Sequence, residues 1–167
     1  KSYNDAKKRI IDTKIKLAEQ AGIALEGEEK KRFNEIFNKL KRLGSDFSNN
    51  VLDSTKKFEL VVTDLSDAEG WPKALKMLAS QTYNTKHNSK ESTPDSGPWS
   101  ITLDHPSFQP FMQNCKNREL RFKVYNAFVN RAASDETDNT KLITEILTLR
   151  NESAKLLGYK NYAEYSL

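Results

Sequence analysis

The sequence holds one cysteine and two histidines among its 167 residues. A single cysteine excludes an intrachain disulfide and favours a reducing compartment. Cys115, His87 and His105 are too few to build a tetrahedral zinc site from Cys and His alone, and no H-E-x-x-H sequence is present. The composition therefore argues against a self-contained zinc enzyme.

Phosphate loops, long apolar runs and a strongly basic half are also absent. The six glycines do not cluster, which argues against a glycine-rich loop that cradles phosphate. No apolar run approaches the roughly 18 residues of a membrane span. The net charge is +4, but residues 1–65 carry 14 basic and 11 acidic side chains and the remainder carry 13 and 12. Such mixing is typical of solvated helix faces, and we expect neither a nucleic acid nor a membrane partner.

Apolar residues recur at helical spacing in two long segments. Residues 3–22 predict an amphipathic helix that ends at Gly22, and residues 28–58 predict a second one. Three phenylalanines on one face of the second helix require a large partner surface. The first helix is its natural antiparallel partner. If Phe47 is fully buried there, Phe47→Ala should cost roughly 3–5 kcal/mol.

Two short segments predict strands. Residues 59–63 are rich in β-branched side chains, and residues 99–104 alternate apolar and polar ones, so the two should pair as a ribbon lying on helices. Residues 82–98 predict a mobile polar loop. Further helices are predicted to begin near Pro72, Pro106, Asn117, Asp138 and Asn161.

The predicted fold is therefore mainly α: a multi-helix lobe with a long amphipathic helix pair and a small two-stranded β ribbon. Residues 1–64 should form the helical pair, and residues 65–98 a short helix with a polar loop. Residues 99–167 should form a strand and helices that continue into a missing C-terminal catalytic region. Both ends of the sequence lie inside predicted helices, so we expect a fragment of a longer protein.

We predict no catalytic, cofactor-binding or metal-binding residue in this sequence. His87 falls in the polar loop and His105 at a turn, and Cys115 is best interpreted as a buried, inert thiol. The carboxylates form no spaced constellation. Four arginines are expected to make salt bridges between helices, with the lining of a cleft as the alternative: Arg118, Arg121, Arg131 and Arg150.

Four strings in order carry a resemblance to a known family. They are Phe47–Lys56 (FSNNVLDSTK), Trp99–Phe108 (WSITLDHPSF), NRELR with YNAF and RA within 117–132, and DN, IL, LR, AKLLGY and NYAE within 138–164. Together they resemble the N-terminal half of the oligopeptidase A and thimet-oligopeptidase-like zinc metallopeptidases. The resemblance covers nearly the whole chain, most securely residues 33–64 and 97–167.

The resemblance implies a parent enzyme that cuts short peptides in the cytoplasm or in an organelle such as the mitochondrion or chloroplast. Members are mostly helical, and two lobes flank a narrow channel. Zinc is held by the two His of an H-E-x-x-H helix and a downstream Glu, and the motif's own Glu activates the zinc-bound water. All these residues would lie beyond Leu167. The fragment alone is therefore expected to hold no zinc, to be inactive and to form part of the channel wall.

Two other hypotheses remain open from the residues themselves. The apolar stripe at 33–58 would also suit a stand-alone helical module that binds a protein partner. The pI of about 9.0 is the only feature that favours a nucleic-acid binder.

Overall fold

The computed structural model describes residues 4–167, and within that range it is mainly α-helical, as predicted. Seven α-helices and one two-stranded antiparallel sheet are formed by the described residues. In chain order the elements are α1 Asp5–Gln20, α2 Gly27–Lys57, β1 Leu60–Val62, α3 Lys73–Lys86, β2 Trp99–Ile101, α4 His105–Asn114, α5 Arg118–Val129, a 3₁₀ turn Asp135–Thr137, α6 Thr140–Leu156 and α7 Tyr162–Ser166.

The chain divides into two compact units. The first comprises the described residues up to Phe47 together with Thr140–Leu167, and the second comprises Ser48–Asn139. They are called here the terminal unit and the central unit. The sequence-based division at residues 64 and 98 follows changes in composition and stays a proposal about organisation.

The core of the central unit is built around two tryptophans. Trp99 lies on β2, whose three residues are all buried, and its ring meets that of Trp71 edge to face at 5.9 Å. Phe111 of α4 contacts Trp71 in the same way at 5.3 Å. Edge-to-face aromatic pairs add to the stabilisation that comes from burial alone. The core of this unit therefore lies between α3, α4 and β2.

The predicted ribbon is confirmed, but both strands are shorter than expected. Leu60 pairs with Ile101 and Val62 with Trp99 in antiparallel register. β2 stops at Ile101 because the backbone N–H of Thr102 donates to Ser107 Oγ at 3.0 Å. That bond occupies the Thr102 N–H, which therefore does not donate across the sheet. The chain then turns into α4, which begins at His105 with a proline in its first turn, as predicted.

The core of the terminal unit joins α2 to α6. Ile36 and Leu43 of α2 are buried with Leu149 of α6. α1 contains no buried residue, so the large partner surface that α2 requires is supplied here by α6. Phe37 is 51% exposed and Phe47 is only half-buried. Both side chains are less buried than the predicted apolar face requires, because helical spacing identifies an apolar stripe but not which element covers each position.

α1 ends where predicted. Gly22 adopts φ +73°, and a Cβ at this position would lie 2.9 Å from the Phe33 ring. Only glycine combines that left-handed backbone with such a close approach. The carbonyl of Gly22 also accepts a 2.5 Å hydrogen bond from Lys30 Nζ. The turn between α1 and α2 is therefore fixed by backbone geometry as well as by packing.

The prediction of a continuous loop over residues 82–98 is wrong for its first five residues, because α3 extends to Lys86. Thr82 and Thr85 donate their hydroxyls to the carbonyls four residues earlier, at 2.8 and 2.9 Å. Polar side chains that bond back in this way are compatible with a helix. The remaining loop is tied to α3 because Ser92 and Asn84 exchange two hydrogen bonds of 2.9 and 3.1 Å.

Candidate functional site

The three side chains considered for chemistry lie in different surroundings. His105 is exposed at the start of α4, His87 is exposed just after α3, and Cys115 is buried after α4. Burial raises the pKa of the Cys115 thiol, which disfavours the nucleophilic thiolate. Within residues 4–167, no three His, Cys, Asp or Glu side chains come together as a possible metal site.

A polar cluster in the central unit is centred on Glu59. Glu59 Oε1 accepts a hydrogen bond from the Ser100 hydroxyl and lies 3.1 Å from His87 Nε2. Lys86 Nζ lies 3.8 Å from the other carboxylate oxygen. Burial alone would raise the pKa of Glu59, but the hydrogen bonds from Ser100 and His87 hold it below its ordinary value.

The cluster has the residue types of a hydrolytic triad but not its arrangement. In such a triad the imidazole contacts the hydroxyl, so that it can remove the proton. Here the carboxylate contacts both Ser100 and His87, and Ser100 is 1% exposed. The arrangement therefore holds together the start of β1, strand β2 and the end of α3, and offers no nucleophile to a substrate.

A surface groove in the terminal unit is a candidate for binding because aromatic side chains line it. Two adjoining cavities of about 330 Å³ each share Phe33, Phe37 and Tyr165 in their linings. We call this surface the aromatic groove; its apolar walls include Leu17, Phe33, Phe37, Leu40, Tyr162 and Tyr165. Cavities with apolar walls and few polar groups are typical of binding sites.

The walls of the aromatic groove come from four helices. Leu17 is on α1, Phe33 and Phe37 are on α2, and Tyr165 is on α7. Gln20 Nε2 donates to the Tyr165 carbonyl at 3.0 Å and so ties α1 to α7. α6 contributes Ile146 and Arg150 to the lining. Sequence reasoning missed this groove, although Tyr162 and Tyr165, three positions apart on α7, are a helix-spaced aromatic pair that could have indicated it.

Two cations border the groove. Lys41 Nζ lies 4.3 Å from the centre of the Phe37 ring, and the Arg150 guanidinium carbon lies 5.1 Å from that of Tyr162. Both contacts are in the range of cation–π interactions. The groove therefore combines aromatic surface with positive charge, a combination suited to a ligand that carries both apolar and acidic groups.

The prediction that the arginines make salt bridges between helices is wrong for Arg121 and Arg131, whose contacts are with backbone carbonyls and a ring. Arg121 donates to the carbonyls of Cys115 and Lys116 at 2.5 and 3.0 Å. Arg131 donates to the Phe128 carbonyl at 2.9 Å and stacks on the Phe128 ring. Backbone carbonyls and rings, rather than carboxylates, hold these guanidinium groups. Arg150 lines a cleft instead, which was the alternative.

The first of the strings that carry the family resemblance contacts the third and the fourth in the central unit. The backbone N–H of Ala132 donates to Ser54 Oγ at 3.0 Å, and Arg131 reaches Thr55 Oγ1 at 3.4 Å. Asn50 Nδ2 donates to Asn139 Oδ1 at 2.9 Å. Residues far apart in the sequence thus form one contact region.

None of the helices within 4–167 has both the length and the apolar character needed to cross a membrane.

The comparisons with known proteins agree with these strings. The chain is 48% identical over 167 residues to the probable cytosolic oligopeptidase A of Arabidopsis thaliana, covering 99% of this chain and 24% of that protein. The sequence is oligopeptidase A-like. The organellar (chloroplastic/mitochondrial) oligopeptidase A of the same plant is also 48% identical, over 99% of this chain and 21% of its own length.

Similarity to oligopeptidase A extends to bacteria. The Escherichia coli oligopeptidase A is 37% identical over 171 residues, covering 99% of this chain and 24% of its own length. The family model of Peptidase family M3 matches residues 111–167. The chain thus spans about a quarter of the length of the oligopeptidase A relatives it matches.

Proposed function

We propose that this chain is the N-terminal, non-catalytic part of a zinc metallo-oligopeptidase that hydrolyses short peptides, and that it forms part of the substrate-channel wall. One observation carries the proposal: the similarity to oligopeptidase A covers 99% of this chain but only 21–24% of those relatives. A segment that aligns throughout with one part of a larger enzyme is expected to be the corresponding part of such an enzyme, and a sequence without H-E-x-x-H favours a scaffold role.

Zinc would be held elsewhere in the parent enzyme. Within the described residues, no three side chains of ligand type gather, and the residues present do not fit the metal. We therefore assign no step of peptide hydrolysis to this chain. That it holds no catalytic or metal-binding residue stays a prediction, as does the inactivity of the chain alone.

A second candidate function, a stand-alone helical interaction module, is favoured by the surface of α1. Ile10, Ile15 and Leu17 are each more than half exposed, and exposed apolar surface marks interaction sites. The two functions differ in what they require. A module binds its partner as a separate protein, whereas a lobe needs the remaining part of its own enzyme.

The proposed compartment of the parent enzyme rests on analogy with the relatives. One relative is named as probably cytosolic and another as chloroplastic/mitochondrial. We propose the cytoplasm or the lumen of one of these organelles, with short peptides as the ligands of the parent enzyme.

A chimaera tests the proposed function. This chain replaces the matching segment of the Arabidopsis probable cytosolic oligopeptidase A, and cleavage of a quenched fluorescent peptide is measured with and without a zinc chelator. We expect the chimaera to be active and chelator-sensitive, while the chain alone and the plant enzyme without the segment are both inactive. A folded but inactive chimaera, or chelator-sensitive activity of the chain alone, would contradict the proposal.

A further inference from the structure

The aromatic groove continues an apolar surface that the terminal unit leaves uncovered. Phe37 is 51% exposed and Leu17 is 54% exposed, and both line the same cavity. On α1, Ile10 lies about two turns before Leu17 on the same helix face and is 60% exposed. Exposed apolar surface is unfavourable in water unless another surface covers it.

The charges around the groove are incomplete in a specific way. Two other cations of α2 are paired with α6: Arg32 Nε lies 2.6 Å from Glu152 Oε1, and Lys39 pairs with Glu145. No ion pair within the described residues joins Lys41 or Arg150 to a carboxylate. The ion pairs between α2 and α6 thus neutralise Arg32 and Lys39 within the unit, whereas Lys41 and Arg150 leave positive charge at the edge of the groove for an acidic ligand.

We propose that the aromatic groove binds an amphipathic helix from the remaining part of the oligopeptidase A-like enzyme, with an acidic side chain of that helix facing Lys41 and Arg150. The inference rests on the proposed function, since it takes the occupant from the same polypeptide. About three quarters of each oligopeptidase A relative lies outside the match, so the parent has ample chain to supply it.

The shape and chemistry of the groove favour a helix. An amphipathic helix lays its apolar face into a hydrophobic groove through side chains three and four positions apart. Aromatic anchors in such a groove contribute most of the binding energy. The two cations select the orientation, because a like charge placed against them would be repelled.

A peptide array tests the inference with this chain as it exists. Overlapping peptides of about 20 residues, each long enough for a helix of roughly 30 Å, tile the part of the Arabidopsis probable cytosolic oligopeptidase A outside the match. The labelled chain is applied, and peptides that bind are measured in solution. We expect binding to peptides that combine a helix-spaced apolar face with an acidic residue.

Matched variants link any binding to the groove. Arg150→Glu and Phe37→Ser should each weaken binding about tenfold. Lys155→Glu makes the same charge change on the exposed surface of the same helix, away from the groove lining, and should bind like the parent chain. Circular dichroism checks that each variant keeps its helix content.

Three results would overturn the inference: no peptide binds, binding is indifferent to both groove variants, or the chain dimerises through the groove in sedimentation and Phe37→Ser abolishes the dimer. An active chimaera with no peptide binding would refute the groove assignment alone. Groove-dependent peptide binding with a folded, inactive chimaera would refute the proposed function alone.

Discussion

Replacing Gly97 by alanine should destabilise the central unit through a collision with Trp99. Gly97 has φ +66°, and a Cβ there would lie 2.7 Å from Trp99 Cε3 and 2.9 Å from two further ring carbons. The ring has little room to move, because Trp99 is 0% exposed, its Nε1 donates to the Pro94 carbonyl at 3.3 Å, and Trp71 packs against it.

The expected cost has two parts. A left-handed backbone costs an alanine about 1–2 kcal/mol, and forcing an extra methyl group into a packed core costs about 1–3 kcal/mol. Gly70→Ala provides the matched control in the same unit, since Gly70 has φ +81° but its Cβ would meet only Lys116 Cε at 3.5 Å. Gly70→Ala should therefore incur the backbone cost alone.

Urea unfolding followed by tryptophan fluorescence measures the difference, because Trp71 and Trp99 both lie in the central unit. Gly97→Ala should lose about 1–3 kcal/mol more than Gly70→Ala, with each kcal/mol lowering Tm by roughly 2–4 °C for a chain of this length. Equal losses for the two variants would refute the reasoning, since they would mean that the ring yields without cost.

Two other predictions concern burial and charge. Phe111→Ala should cost about 3–5 kcal/mol because Phe111 is 0% exposed, whereas half-buried Phe47 should cost about 1–2 kcal/mol when replaced by alanine; equal losses in urea unfolding would contradict this. The depressed pKa of Glu59 gives stability that is present above the ordinary glutamate pKa of about 4.3 and is lost as the pH falls through the folded value. Glu59→Gln should therefore flatten the decline in Tm below about pH 4.3, and an unchanged decline would argue against the role of the cluster.

Local signals in the sequence predicted the helices, the ribbon and the caps. Asn117 accepts hydrogen bonds from the N–H groups of Glu119 and Leu120, and Asn161 accepts one from that of Glu164. Such a cap joins the asparagine side chain to backbone N–H groups two or three residues further along, so the local sequence is sufficient to predict it. The resemblance to oligopeptidase A is confirmed by the comparisons, and it could be predicted because each string that carries it is a short stretch of sequence.

Contacts between distant segments could not be predicted in this way. The apolar face of α2 is visible as a stripe, but nothing in the spacing says that Leu149 of α6, rather than α1, covers Ile36. The aromatic groove likewise forms only because α7, near the end of the sequence, places Tyr165 beside Phe33 of α2. The polar end of α3 was mistaken for loop because composition does not reveal that Thr82 and Thr85 bond back to their own helix.

The contact region between the resembling strings has a consequence for recombination among relatives. Because Ser54 receives the Ala132 N–H and Asn50 bonds to Asn139, residues 50–55 and 131–139 have to suit each other. A crossover point between these segments would combine halves from two parents that never adapted together. Shuffled libraries of oligopeptidase A genes should therefore retain more folded members when both segments are inherited from one parent.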